Sequence, residues 1–261
     1  MVKNFEFKDN YDINDLLNIM KILRAPGGCV WDAEQTHSSI KNNMLEEAYE
    51  AVDAIENNDM TSLCEELGDV LMQVVFHSEI SAEQNGFDFN EVADGVCNKL
   101  IYRHPHVFGN VKVENSAEVL NNWDRLKRRE KSQDTVTDTL KSVPRSFPSL
   151  MYAQKVQKRA SKGGMDFSSV EETYKKVTEE LEEVKSAVEQ KNGIEEELGD
   201  LLFSAVNTVR LLGFDAEELL KKSTDKFISR FEKTEQRALE TGAEVKDLSQ
   251  SELDKLWEEV K

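Results

Sequence analysis

A chain of 261 residues is long enough to bury two modest cores. Its 33 Lys and Arg against 51 Asp and Glu leave a formal net charge of −18. That balance excludes a nucleic-acid polymer or an anionic membrane surface as a natural partner, but admits a small polyanion that arrives with a cation.

Cys29, Cys64 and Cys97 are far apart with no CxxC, so neither a zinc cluster nor a disulfide framework is indicated. The first twenty residues hold Glu6, Lys8, Asp9 and Asp12 where a signal peptide needs an apolar core, and no stretch reaches membrane-spanning length. A cytoplasmic protein is expected. With only 4 prolines and 12 glycines, and Leu, Glu, Lys and Ala prominent, an all-α fold is expected too. Apolar spacing predicts helices near 12–24, 38–57, 60–84, 89–103 and 116–130. A polar interval follows, KSQDTVTDTLKSVPRSF, with Pro144 inside it and Pro148 just beyond, which reads as a linker. Helices resume near 148–161, 170–191, 194–212, 215–240 and 249–260. Asp59 and Asp215 are expected N-caps, Gly193 and Gly213 stops or turns.

The two runs of helices are copies of each other. Glu46-Glu47-Ala-Tyr-Glu50 followed by Glu65-Glu66-Leu-Gly-Asp69 reappears as Glu179-Glu180-Leu-Glu-Glu183 followed by Glu196-Glu197-Leu-Gly-Asp200. Gly86-Phe87-Asp88 matches Gly213-Phe214-Asp215, Lys99 with Arg103 matches Lys226 with Arg230, and Arg24-Ala25 matches Arg159-Ala160. The expected organisation is a first copy over 1–131, a linker over 132–147 and a second copy over 148–261.

Chemistry concentrates in the acids. Glu47 and Glu50 share a helical face with the small residues Ala51 and Ala54, which suggests a packed surface rather than the solvated acidic face common in acidic chains. In the next helix nearly every position is apolar except Glu66, Asp69 and Gln73, and the copy shows Glu197, Asp200, Ser204 and Asn207. Such a helix is expected to be buried, with one polar stripe turned inward. Buried ionised carboxylates need a partner, and a hard cation with oxygen ligands, Mg²⁺ or Mn²⁺, is the economical one. Gly68 and Gly199, between the acids, would let a helix or ligand come close. A di-iron centre needs Glu-x-x-His on two helices, and the sole such spacing is Glu34 to His37. Lys226 and Arg230, four apart, read either as exposed or salt-bridged cations or as a grip on phosphate oxygens. Phe227, Ile228, Phe231 and Leu219 read as core, and Trp123 and Trp257 either cover a base or staple each copy's last helix, core being the better reading.

EExxE followed by ExxD on successive helices, duplicated, with the Gly28-Cys29-Val30-Trp31-Asp32 turn and His104-Pro-His106, resembles the MazG family of nucleoside triphosphate pyrophosphohydrolases. The resemblance implies two tandem four-helix-type units completed by homodimerisation, and Mg²⁺-dependent cleavage between the α and β phosphates. It places metal ligands at Glu180, Glu183, Glu197 and Asp200, and at Glu47, Glu50, Glu66 and Asp69 in the first copy. Nucleotide contacts fall on Lys176, Glu179, Glu196, Asn207, Lys226, Arg230 and Trp257, and Glu179 is the chosen base beside the metal ligand Glu180. The first copy has Asn43 for Lys176 and Phe76 for Asn207, so the second copy is expected to be the main catalytic unit. The competing reading is a non-catalytic acidic dimerisation or adaptor protein.

Overall fold

The computed structural model describes residues 5–260, so the first four residues assigned to the first copy and the last of the second lie outside it. Thirteen α-helices and one 3₁₀ turn account for the regular structure, with no strand among the described residues. No described helix is long and apolar enough to cross a membrane. The chain divides into two compact units, one ending at Leu126 and the other beginning at Lys127.

In the first unit α1 (Ile13–Arg24) and α2 (Val30–Glu34) precede a hairpin of α3 (Lys41–Glu56) and α4 (Met60–Glu83). Then come α5 (Phe89–Arg103), α6 (Pro105–Phe108) and α7 (Ser116–Glu130), the last running across the division. Asp12 and Asp88 start α1 and α5 with reciprocal capping boxes to Asp15 and Glu91, and Asp59 caps α4 through the amides of Thr61 and Ser62. The α3–α4 hairpin turns on Asn57 and Asn58, and Asn58 takes a left-handed φ of 54°. Met20 of α1 meets Val75, Phe76 and Ile80 of α4 together with Ile40, and these form the core.

The second unit repeats the plan. Helices α9 (Ser149–Lys162), α10 (Val170–Gln190), α11 (Ile194–Leu211), α12 (Ala216–Glu240) and α13 (Gln250–Glu259) correspond to α1, α3, α4, α5 and α7. Asp215 caps α12 through the Glu218 amide. The α10–α11 turn needs two left-handed residues, Lys191 and Gly193, and Gly213 ends α11 with a φ of 84°.

One expectation gains detail and another fails. The interval read as a linker contains α8 (Val136–Lys141), started by a Thr135–Asp138 capping box and followed by the buried Val143. Six residues are too few to show a helical period. More consequentially, α4 and α11 are not buried all round: Leu67, Leu71, Leu198, Phe203 and, at 62% exposure, Leu202 face outward. Phe227, Ile228, Phe231 and Leu219 on α12 are also exposed rather than core. A Cβ on Gly68 or Gly199 would meet nothing within 4 Å, so among the described residues no neighbouring helix makes the close approach expected there.

Candidate active site

Each hairpin gathers its acids at one place. Ligand-competent oxygens of Glu47, Glu66 and Asp69 lie within 4.8 Å of one another in the first unit, and those of Glu180, Glu183 and Glu197 do so in the second. The cause is local. Helices α3 and α10 present EExxE on the side that the small buried residues Ala51, Ala54 and Ala187 hold against the partner helix. Helices α4 and α11 then return ExxD to the same level.

Burial and crowding raise the cost of ionising Glu47, Glu66 and Glu183. The Glu47 carboxyl is pushed up first by burial, then by the charges of Asp69, Glu50 and Glu46, while a hydrogen bond from Gln73 opposes the shift. Glu66 is pushed up by burial and by Glu50, which touches it. Glu183 rises through burial and its contact with Glu180, then through Glu197, with Lys176 pulling the other way.

The second copy holds the sharper demand for a cation. Glu180 is 4% exposed. Its Oε1 is 2.7 Å from Lys176 Nζ, and its Oε2 is buried without a hydrogen-bond partner. Such an orphaned carboxylate oxygen costs free energy unless a cation or donor reaches it. An all-oxygen, acidic donor set of this kind suits a hard divalent ion. The residues present therefore fit Mg²⁺ or Mn²⁺.

The remaining expected residues fall on the same unit but not all in the trio. Asp200 is exposed and outside it, as is Glu50 in the first copy. Lys176 also donates to Glu179 at 2.8 Å, so in this state it is engaged with acids rather than free. Glu196 is exposed on the first turn of α11. Asn207 accepts a hydrogen bond from Arg210 Nε at 2.9 Å, and Arg210 is in turn ion-paired with Asp166. Lys226 and Arg230 share a face of α12, and Trp257 packs on Phe227 with ring centroids 5.4 Å apart. In the first copy Trp123 instead carries the Arg103 guanidinium over its face at 5.4 Å.

Gln73 lies on the inward polar stripe of α4 as expected, at 3% exposure, where it donates to Glu47 and leaves its own Oε1 unpaired. Sequence reasoning missed two features. Arg24 is buried against Glu83. His37 and His77, forty residues apart, bring their Nδ1 atoms to 2.8 Å with parallel rings. One nitrogen must donate and the other accept, so double protonation breaks the contact. Burial, then the neighbouring His37, depresses the His77 pKa. The folded state thus binds this proton less readily than the unfolded chain. Stability from the pair is present above the ordinary histidine pKa of about 6.5 and is lost as the pH falls from there through the depressed pKa of the folded state. The thermal midpoint is expected to drop between pH 7.5 and 5.5, and His77→Gln should flatten that slope. An equal slope in the variant would remove the pair from the account.

Fold and site together define a class: helical-hairpin proteins whose facing acid pairs are built for a hard cation. Within that class the chain belongs to the MazG family. The profile of the MazG nucleotide pyrophosphohydrolase domain matches it twice, at residues 35–108 and 168–234. The nucleoside triphosphate pyrophosphohydrolase of Escherichia coli (strain K12) is 42% identical over 254 residues, covering 95% of this chain and 97% of its own length. The nucleoside triphosphate pyrophosphohydrolase/pyrophosphatase MazG of Thermotoga maritima is 40% identical over 247 residues, covering 95% and 94%. The uncharacterized protein YabN of Bacillus subtilis is 41% identical over 254 residues, covering 96% of this chain and 52% of its own.

Proposed function

We propose that this protein is a nucleoside triphosphate pyrophosphohydrolase that cleaves between the α and β phosphates in the presence of Mg²⁺, with Mn²⁺ as a substitute, giving a nucleoside monophosphate and pyrophosphate. The observation that carries this reading is Glu180, a buried carboxylate with one orphaned oxygen inside a trio of acids. The activity named for the similar E. coli and T. maritima proteins supports it.

Glu180, Glu183, Glu197 and Asp200 would hold the metal, which when bound screens phosphate oxygens and lowers the pKa of a water. Glu179, more than half exposed at the edge of the trio, accepts the proton of the attacking water. The water oxygen bonds to the α-phosphorus in line as the bond to the β-phosphate's bridging oxygen breaks. Lys226 and Arg230 stabilise the negative charge gathering on departing pyrophosphate. Lys176, Glu196, Asn207 and Trp257 position the nucleotide. The second copy is the main catalytic unit, since Phe76 cannot supply the hydrogen bonds of Asn207. Glu47, Glu50, Glu66 and Asp69 would give the first copy a weaker or differently selective metal site.

The working form is a cytoplasmic homodimer in this proposal. The exposed apolar residues on α4, α11 and α12 support pairing with a second copy. Incubating the purified chain with Mg²⁺ and a panel of triphosphates in H₂¹⁸O tests the chemistry. Monophosphate carrying the label plus unlabelled pyrophosphate is expected. Diphosphate plus orthophosphate would refute the bond assignment, and no product with any triphosphate would leave the adaptor reading.

A further inference from the structure

The two copies satisfy their acids by different means, and the difference lies at one position. In the second copy Lys176 stands one turn before the acids on α10 and places its ammonium 2.8 Å from Glu179 and 2.7 Å from Glu180. In the first copy the equivalent residue is Asn43, and the equivalent carboxylate, Glu47, has the amide of Gln73 instead. Lys176 is bound at its tip yet its side chain stays about one-third exposed, at 36%. It can therefore swing away from Glu180 by side-chain rotation, without moving the helix.

We propose that Lys176 is the resident counter-ion of the second-copy acids, which a divalent ion must displace and which displacement releases to the triphosphate. This rests on the metal reading above. A divalent ion on Glu180 and its neighbours takes over the negative charge that holds the ammonium and repels the ammonium itself. The freed cation then finds its new partner in the phosphate oxygens, an anion that needs a donor of that kind. Metal and triphosphate are thereby coupled through one side chain, and reciprocally, each tightening the other. Asn43, having no charge to exchange, gives the first copy no such coupling.

The test uses the full chain with the first-copy acids neutralised by Glu66→Gln and Asp69→Asn, so that metal binding reports on the second copy. Mn²⁺ alone is titrated and followed by electron paramagnetic resonance, and α,β-methylene ATP is titrated by calorimetry with and without Mn²⁺. Lys176→Met is expected to bind Mn²⁺ alone at least about fivefold more tightly than its parent, and to lose much of the metal's effect on nucleotide affinity. Lys176→Arg, which keeps the charge, should stay near the parent in both. Equal or weaker Mn²⁺ binding by a folded Lys176→Met, or undiminished coupling, overturns the proposal. Absence of Mn²⁺ binding by the parent, with Glu180→Gln no different, would instead bring down the metal reading beneath it.

Discussion

Glu180→Gln is expected to lower turnover by more than about 100-fold, since outer-shell partners of metal ligands alone are worth about 10–100-fold and this residue sits in the trio itself. The amide keeps the shape and removes the charge, so the loss tests electrostatics rather than packing. Far-UV circular dichroism should be unchanged. Lys176, the cation paired with Glu180, retains Glu179 as a partner in the variant. Glu47→Gln, the same change in the first copy, should alter turnover by no more than about threefold, because that copy lacks the lysine and the amide expected to grip nucleotide. Asp200→Asn is the more discriminating companion. Asp200 is exposed and outside the trio, so a severe loss would mean that it joins the site only when metal and substrate are bound. Steady-state pyrophosphate release at saturating Mg²⁺ measures all three. If both second-copy variants kept most of their activity, the second copy would not be the catalyst.

The physical reason the clustering of these acids could be read in advance is that helical spacing alone fixes which residues share a face. EExxE and ExxD need no knowledge of tertiary contacts to be placed side by side, once a two- or three-residue turn joins their helices. The caps Asp59 and Asp215 were legible for the same reason, being set by groups within three residues. What was not legible depends on contacts distant in sequence. His37 meets His77 across forty residues, Arg24 meets Glu83 across fifty-nine, and no periodicity encodes either. The misreading of α4, α11 and α12 as buried has a further cause. An apolar helix face says that something covers it, without saying that the cover belongs to the same chain. Leu202, Phe203, Phe227 and Ile228 have the composition of a core and the exposure of a surface.

Arg24→Met should destabilise the first unit by about 2–3 kcal/mol, the range for breaking a buried charged network whose remaining partner can still reach water. Arg24 is buried, its guanidinium bonding Glu83 at 2.8 and 2.7 Å and the carbonyls of Asp32 and Gln35, and lying 5.2 Å from the centre of the Phe76 ring. It therefore ties α1, the C-terminal end of α2 and the end of α4 together through one side chain. Methionine restores the apolar volume but no donors, so the carbonyls of Asp32 and Gln35 each lose a donor, the first keeping the Gln35 amide, while Glu83, 39% exposed, rehydrates. The counterpart in the second copy, Arg159, bonds the Thr139 carbonyl and, at 2.7 Å, the Ser142 hydroxyl, a group that turns to water readily. Arg159→Met should cost clearly less. Hydrogen exchange resolves the two units separately where a single melting curve would blend them. Faster exchange in α1 and α4 of the Arg24 variant is expected, with α10 and α11 unchanged. Because the proposed catalytic acids lie on those last two helices, turnover below the melting transition should persist. An Arg24 variant that is folded, loosened only in its first unit and yet inactive would show that catalysis needs the first copy's site after all.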